Sequence, residues 1–538
     1  MSATRYPLWG TPLLLASCLA ACGAPLGRGP VSEIEGEEAE VVPVLSGEEA
    51  SAVAGRGARS YTTAARSPAE AQGPIALVRR RAPRRMLPDA RLDDAARRML
   101  EREQDGRSAS LSHLQELLWW KGVPHADPAL GLFGGAFGEA AAQSALEWLE
   151  EVPPDRGGVF GLAAIEIEGG TRLAVVRALG GMEIGDVPRR VDVGERLVVE
   201  AVIDGKTERV SWAATNPEGQ NFSGNARREG DKWLAEIEID VGGRWQIELL
   251  RHGPSGPRVA LNFPVWAGLE PRFRAPVDDG ELESRDPREL ERLLFEALNE
   301  SRAAHGLPPV ERSLDLDEVC RRYSEEMAET GVVAHVSPRS GGPADRARAA
   351  GLSFPLLSEN LARAHNAAAA QRGLLSSPAH RANILDPRAV EAGVGVALSE
   401  AADGGIALLV TELIVSRPED IVPKQSAAEL SGRIRELRER SGLKALERDP
   451  TLDAVAERLL ESCFGGETPR KLGLARAGYE SVIAFEAEAA AVERVLEGPA
   501  PPELKLPEMT HFGVAVGQGT HPELGAGIIC VRAVFGSR

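Results

Sequence analysis

The chain has 538 residues and a formal charge of -18, set by 62 Lys and Arg against 80 Asp and Glu. That balance excludes the basic footprint of a nucleic-acid binder, and it excludes adhesion to anionic lipid by charge alone. Hydrophobic residues make up 43% and aromatics only 4%, so the length predicts several cores packed by Leu, Val, Ile and Ala.

The chain opens with Arg5, an apolar run from Leu8 to Leu19, and "LAAC" from Leu19 to Cys22. The run is too short to span a bilayer as a helix. Its order of charge, apolar run and small residues resembles a bacterial lipoprotein signal peptide with its lipobox. The resemblance implies cleavage of residues 1–21, acylation of Cys22, and a membrane anchor facing the periplasm or the cell exterior. "LASC", ending at Cys18, is the second candidate. Residues 22–85 carry an acidic block ("EIEGEEAE") and a basic one ("RRRAPRR") with few large apolar side chains, and are expected to be a disordered tether.

Residues 86–183 read either as an unrelated α+β domain or as a degenerate copy of the domain at 287–417. "ARLDDAARRML" (Ala90 to Leu100) resembles "DLDEVCRRYSEEM", and His113 follows that helix. Residues 184–272 change character. Trp233, Ala235, Ile237 and Ile239 alternate with polar residues, and "NPEG", "GG" and "GPSGP" separate short runs. This predicts an antiparallel β-sandwich, broadly immunoglobulin-like, acting as a spacer or binding module.

From Pro287 the pattern turns helical. Leu290, Leu294, Leu298 and Arg302 share one face, Gly306 suits the stop, and a second helix covers Leu316 to Met327. An ordered series follows: "AHVSP" (Ala334 to Pro338), "DRARAAGL", "SENLA" (Ser358 to Ala362), "SSPAHRANIL" (Ser376 to Leu385), "AGVGVAL" and "IALLVTELIV". The series resembles the bacterial branch of the CAP superfamily, the SCP-like extracellular domain. The resemblance implies an α+β fold, an α-β-α sandwich over residues 287–417, with a cleft formed by His335, Glu359, Asn360 and His380. The second glutamate of the animal and plant branches has no match between Glu359 and His380. Leu374 stands where bacterial members commonly carry tryptophan.

The residue types carry chemistry of their own. Two imidazoles and a carboxylate are Zn²⁺ ligand types, which makes His335 and His380 candidate metal ligands and zinc a candidate cofactor. Ser377 suits a helix cap, Pro378 the first turn, and His380 then projects from that short helix. His305 is read as a helix-end residue, and His365 as exposed on a helix after Asn360. Ser337 and Ser377 lack a nucleophile-elbow setting.

Residues 427–536 repeat the pattern. A shift of 136 places Arg302 on Arg438, Gly306 on Gly442 and Leu316 on Leu452. This second copy is expected to be degenerate, with "GPAP" in place of "SPAH". One pair among Cys320, Cys463 and Cys530 could bridge. Three functions stay open: a membrane-anchored module binding a metal, lipid-like or cell-envelope ligand, a hydrolase with or without zinc, and a non-catalytic scaffold.

Overall fold

A computed structural model describes residues 58–537, except 106–109, 153–156, 204–206, 208, 275–281, 353, 355, 401–405, 419, 466–480, 490–505 and 522–524. The expected signal peptide and the acylation site at Cys22 lie outside the described residues.

The first unit contains β1 (Ser60–Tyr61), α1 (Gly73–Arg81), β2 (Met86–Pro88), α2 (Ala90–Gln104) and α3 (Leu111–Trp120). It continues with β3 (Asp127–Gly135), α4 (Gly138–Glu150), β4 (Gly158–Ile167) and β5 (Gly170–Leu179). The tether expectation is corrected from residue 58 onward. Tyr61 and Val78 are fully buried, and Val78 packs in a core with Trp148 and Leu149. The scarce apolar residues of this stretch are spent on contacts with later elements, which local composition does not reveal. The sheet order is β2-β4-β5-β3, with one core under α2 and α3 and another under α1 and α4.

The sandwich follows. Its strands are β6 (Glu183–Ile184), β7 (Val187–Pro188), β8 (Arg190–Val191), β9 (Glu195–Val202) and β10 (Arg209–Thr215). Then come β11 (Asn221–Asn225), β12 (Arg227–Glu229), β13 (Lys232–Ile239), β14 (Gly243–Gly253) and β15 (Gly256–Ala267). One sheet runs β11-β10-β14-β15-β8 and the other β12-β13-β9-β6. Ala235, Ile237 and Ile239 of β13 face inward onto Trp245, Ile247 and Phe263, while Glu236 and Glu238 face out to Arg196. Period-two alternation thus yields one dry face, and each fully buried large side chain contributes about 1.5–3 kcal/mol. Arg189 locks the sandwich to the first unit: its guanidinium lies 5.4, 5.1 and 5.0 Å from the ring centroids of Tyr61, Trp120 and Trp266.

The central unit comprises α5 (Pro287–Ala303), β16 (Glu311–Arg312), α6 (Leu314–Thr330), α7 (Pro343–Ala349) and β17 (Leu357–Ala364). It closes with α8 (Ala367–Ser376), α9 (Pro378–Ile384), β18 (Ala389–Glu400) and β19 (Ile406–Ser416). Asp286 caps α5 by accepting from Arg288 N at 3.0 Å, and Leu290, Leu294, Leu298 and Arg302 form its buried stripe. The C-terminal unit repeats the order with α10 (Pro423–Arg440), β20 (Glu447–Arg448), α11 (Pro450–Cys463), β21 (Ser481–Ala489), β22 (His511–His521) and β23 (Gly525–Ser537). Layers of helix around mainly antiparallel sheets make the chain α+β, as the family resemblance implies.

The same assembly recurs in three sheets: β2-β4-β5-β3, β16-β18-β19-β17 and β20-β22-β23-β21. In each, the short first strand is parallel to its neighbour and all other pairings are antiparallel. In each, a helical aspartate accepts from a strand amide at 2.8 Å: Asp93 from Leu162, Asp317 from Val394, Asp453 from Val514. In each, a glycine just before that amide lets the helix touch the strand. A Cβ on Gly161 or Gly513 would lie 2.1 Å from the carbonyl carbon of Leu92 or Leu452, and one on Gly393 would lie 2.4 Å from Leu316 Cβ. Buried arginines one helix earlier match in two units. Arg302 donates to the carbonyls of Pro308, Ile384 and Asp386, and Arg438 to those of Lys444, Leu506 and Met509.

The cysteine question resolves. Cys463 and Cys530 form a disulfide between α11 and β23, and Cys320 is a buried free thiol whose Sγ donates to Gly393 O.

Candidate functional site

Strand β17 lies at one end of its sheet, paired only with β19. Its side chains alternate across that edge. Leu357 and Leu361 face α6, Ala362 faces α5 and α8, and Glu359 and Asn360 therefore lie on opposite faces. The site wraps around this edge, with His335 on one side and His380 on the other.

On the α6 side, the His335 loop is anchored from below. Tyr323 donates its hydroxyl hydrogen to Ala334 O, and Ser337 pairs with Gly341 in a tight bridge. His335 Nδ1 donates to Glu359 Oε1 at 2.8 Å, and Arg346 of α7 donates to Glu359 Oε2. The Arg346 guanidinium also stacks 3.4 Å from the Tyr323 ring centroid and donates to Gly341 O at 2.6 Å. The pairing fixes the imidazole tautomer, because an ionised carboxylate only accepts. Nε2 is left as the ring nitrogen for a ligand.

On the α9 side, Ser377 accepts from His380 N at 3.4 Å as the helix cap, and Pro378 occupies the first turn. Asn360 Nδ2 donates to His380 O at 3.4 Å and to Glu412 Oε2 at 3.0 Å, while Asn383 Nδ2 donates to Asn360 Oδ1 at 2.9 Å. Burial pushes the His380 imidazole down to about 3, with charge on His335 adding to the effect. His380 is therefore neutral at physiological pH, able both to donate and to accept. Burial pushes Glu412 up to about 7, against the single bond from Asn360, and its Oε1 has no partner among the described residues.

Of the four cleft residues expected from sequence, His335 and Glu359 share a hydrogen bond, and Asn360 ties β17 to the His380 turn. One position differs from expectation: His365 is not exposed on a helix but half-buried in the turn between β17, which runs on to Ala364, and α8. Leu374, at the place of the expected tryptophan, is buried in the core with Leu298 and Ile414. His305 Nδ1 bonds Ser301 O at 2.7 Å and its Nε2 meets Arg381 at 3.0 Å, so it closes a helix end.

Sequence reading missed Arg346, Glu412 and Glu248. Glu412 left a trace: it is the lone acidic residue in the apolar run "IALLVTELIV". Glu248 lies on β14 of the sandwich and reaches across to α9, where its Oε2 accepts from Ala379 N at 3.2 Å and the Ser377 hydroxyl also bonds to it.

Residues 295–411 match the CAP family, the cysteine-rich secretory protein family. The chain carries a CAP domain. Over 106 residues, 20% of this chain and 41% of the relative, it is 30% identical to the uncharacterized protein YkwD of Bacillus subtilis. It is 33% identical over 107 residues to the uncharacterized membrane protein YlbC of the same organism, covering 31% of that protein. The chain thus spans less than half the length of these curated relatives. Among solved structures it resembles an outer surface protein of Borrelia burgdorferi, with 21% identity, 24% of this chain and 96% of that one covered, and a TM-score of 0.22. An extracellular SCP-domain protein of Bacillus anthracis gives 17%, 44% and 86% with a TM-score of 0.22. The matched segment spans the CAP domain from within α5 into β19, so His335, Arg346, Glu359 and His380 all fall inside it.

Proposed function

We propose that the chain is a membrane-anchored extracytoplasmic CAP/SCP-like protein that binds a cell-envelope ligand in the cleft of its CAP domain. A hydroxyl or amide of that ligand would sit between His335 and His380. The observation that carries this reading is the His335–Glu359 hydrogen bond, which presents one imidazole nitrogen in a fixed tautomer on the strand whose next residue, Asn360, holds the His380 turn. The Cys463–Cys530 disulfide supports an oxidising compartment, and the lipobox-like "LAAC" supports the anchor at Cys22.

A zinc centre fits the residues poorly. Both Glu359 oxygens are engaged, by His335 and Arg346, and no cluster of three or more metal-ligating groups occurs among the described residues. Zinc sites draw on at least three protein ligands. One observation favours a hydrolase as the second reading: a carboxylate orienting an imidazole is the arrangement of a general base.

The test is titration calorimetry of the purified chain with soluble peptidoglycan fragments and, separately, with anionic phospholipid vesicles. His335→Ala and His380→Ala should each weaken binding at least about tenfold, or 1.4 kcal/mol. Binding by neither probe, or binding indifferent to both substitutions, leaves the scaffold reading in its place. Turnover of the fragments that collapses in Glu359→Gln would establish the hydrolase. Cys22→Ser should move the chain from the membrane fraction to the soluble one.

A further inference from the structure

The two histidines sit on separate elements, and both elements rest on the β-sandwich. On the His335 side, Val336 N donates to Ser255 O at 3.1 Å, in the turn between β14 and β15. Gly256 follows, and a Cβ there would lie 2.9 Å from His335 Cβ. On the His380 side, Ala379 packs against Ala213 and Leu250 of the sandwich, and Arg381 donates to Gly219 O at 3.2 Å. Between these contacts lies Glu248, wholly buried, receiving Ala379 N, the Ser377 hydroxyl and, at 2.9 Å, Asn262 Nδ2. Asn262 O in turn accepts from Trp119 Nε1 of the first unit at 2.6 Å.

A buried carboxylate is costly unless its acceptors are filled. Glu248 has three donors, two of them from the turn that begins α9. One strand of the sandwich therefore grips the turn that carries His380, and the tip of the same hairpin abuts the loop that carries His335. Short helices such as α9 hold their position through packing and caps more than through their own hydrogen bonds.

We propose that the β-sandwich is the clamp of the CAP cleft, with Glu248 as a positioning residue for His380 and the Ser255–Gly256 turn as the seat of His335. The site then belongs to two units of the chain and not to the CAP domain alone. The clamp concerns the cleft of the functional reading above, but its test uses no ligand.

The test measures diethylpyrocarbonate modification of each histidine by mass spectrometry, together with amide hydrogen exchange, on the full chain. Glu248→Ala should raise modification of His380 and exchange over 378–382 about tenfold, with His511 of the C-terminal unit unchanged. Glu248→Gln keeps an acceptor for Ala379 N and should stay within about twofold of the parent. Deleting Pro254 and Ser255 should release His335 in the same way while sparing His511. A Ser255→Cys, Val336→Cys pair should form a disulfide and hold both histidines at parental reactivity. The proposal is overturned if Glu248→Ala, folded by circular dichroism, leaves His380 at parental reactivity, or if the turn deletion leaves His335 unchanged. Failure of the parent chain to bind either probe of the functional test would count against the functional reading alone and would leave these readouts unchanged.

Discussion

The central and C-terminal units share a frame and differ in what the frame holds. Both fix the second long helix to the sheet by an aspartate, Asp317 or Asp453, that takes a strand amide beside a glycine. Both bury an arginine, Arg302 or Arg438, against the carbonyls of the chain leading into the central hairpin. The central unit carries His335 and His380 at its β17 edge, whereas residues 441–510 contain no histidine and His511 lies at the opposite edge, against Glu447 of β20. The lesson is that scaffold and site are separable here. The helix–sheet contact is made in the sheet interior, and the imidazoles are carried outside it, His335 by a loop and His380 by the short helix α9.

The two units also differ in reinforcement, and this gives the largest expected effect. Replacing Cys463 and Cys530 by alanine opens a loop with a sequence separation of 67 residues. Loop entropy predicts a loss of about 4 kcal/mol. Hydrogen exchange should localise it to α11, β22 and β23 and leave the CAP domain untouched. Spread of the loss into α6 or β18 would mean that the two units do not fold independently. Next, Gly393→Ala should cost about 3 kcal/mol in the CAP domain, because the helix backbone stands where the methyl must go. Gly161→Ala and Gly513→Ala should do the same in their own units. Denaturant unfolding in which one of the three is silent would break the equivalence of the three sheets.

A smaller effect distinguishes the sites by pH. Glu412 titrates near 7 in the fold and near 4.3 in an unfolded chain, so the native state holds the extra proton between those values. Stability from this group is full below about pH 4 and is lost as pH rises through 7. Glu412→Gln removes the loss, so the variant should gain on the parent by about 2 kcal/mol between pH 5 and pH 8, measured by exchange of β17 and β19. His380, pushed down to about 3, acts with the opposite sign: its contribution is present above pH 6.5 and is lost as pH falls toward 3. The smallest effect is Ser377→Ala, at about 1 kcal/mol for a lost helix cap, felt in α9 and, through the donor lost to Glu248, in β14.

Much of the frame was legible because it is local. The alternation of Ala235, Ile237 and Ile239 announces a sandwich strand, and the spacing of Leu290, Leu294 and Leu298 announces α5. Both patterns arise from one element facing one core. The pairing of "ARLDDAARRML" with "DLDEVCRRYSEEM" also rested on local residues. Leu92–Asp93 and Leu316–Asp317 within those strings make the same contact with a strand glycine and the amide after it. The candidate residues His335, Glu359, Asn360 and His380 come from an ordered series of motifs, since no single stretch contains them. Arg346, Glu412 and Glu248 escaped for a physical reason. Each does its work across the fold, on a partner 13, 52 or 131 residues away, and no periodicity encodes such a distance. The same reason hid the structure of residues 58–85, whose few apolar side chains are buried by elements that come later.

The covalent bridge between α11 and β23 has a consequence for the life of the molecule. A protease that cuts the backbone anywhere between residues 464 and 529 produces two peptides that still migrate together until a thiol reductant is added. Nicked chains would thus keep β22 or β23 in place and escape notice on non-reducing gels, which gives the C-terminal unit a tolerance to digestion that the CAP domain, with its solitary sulfhydryl, does not share.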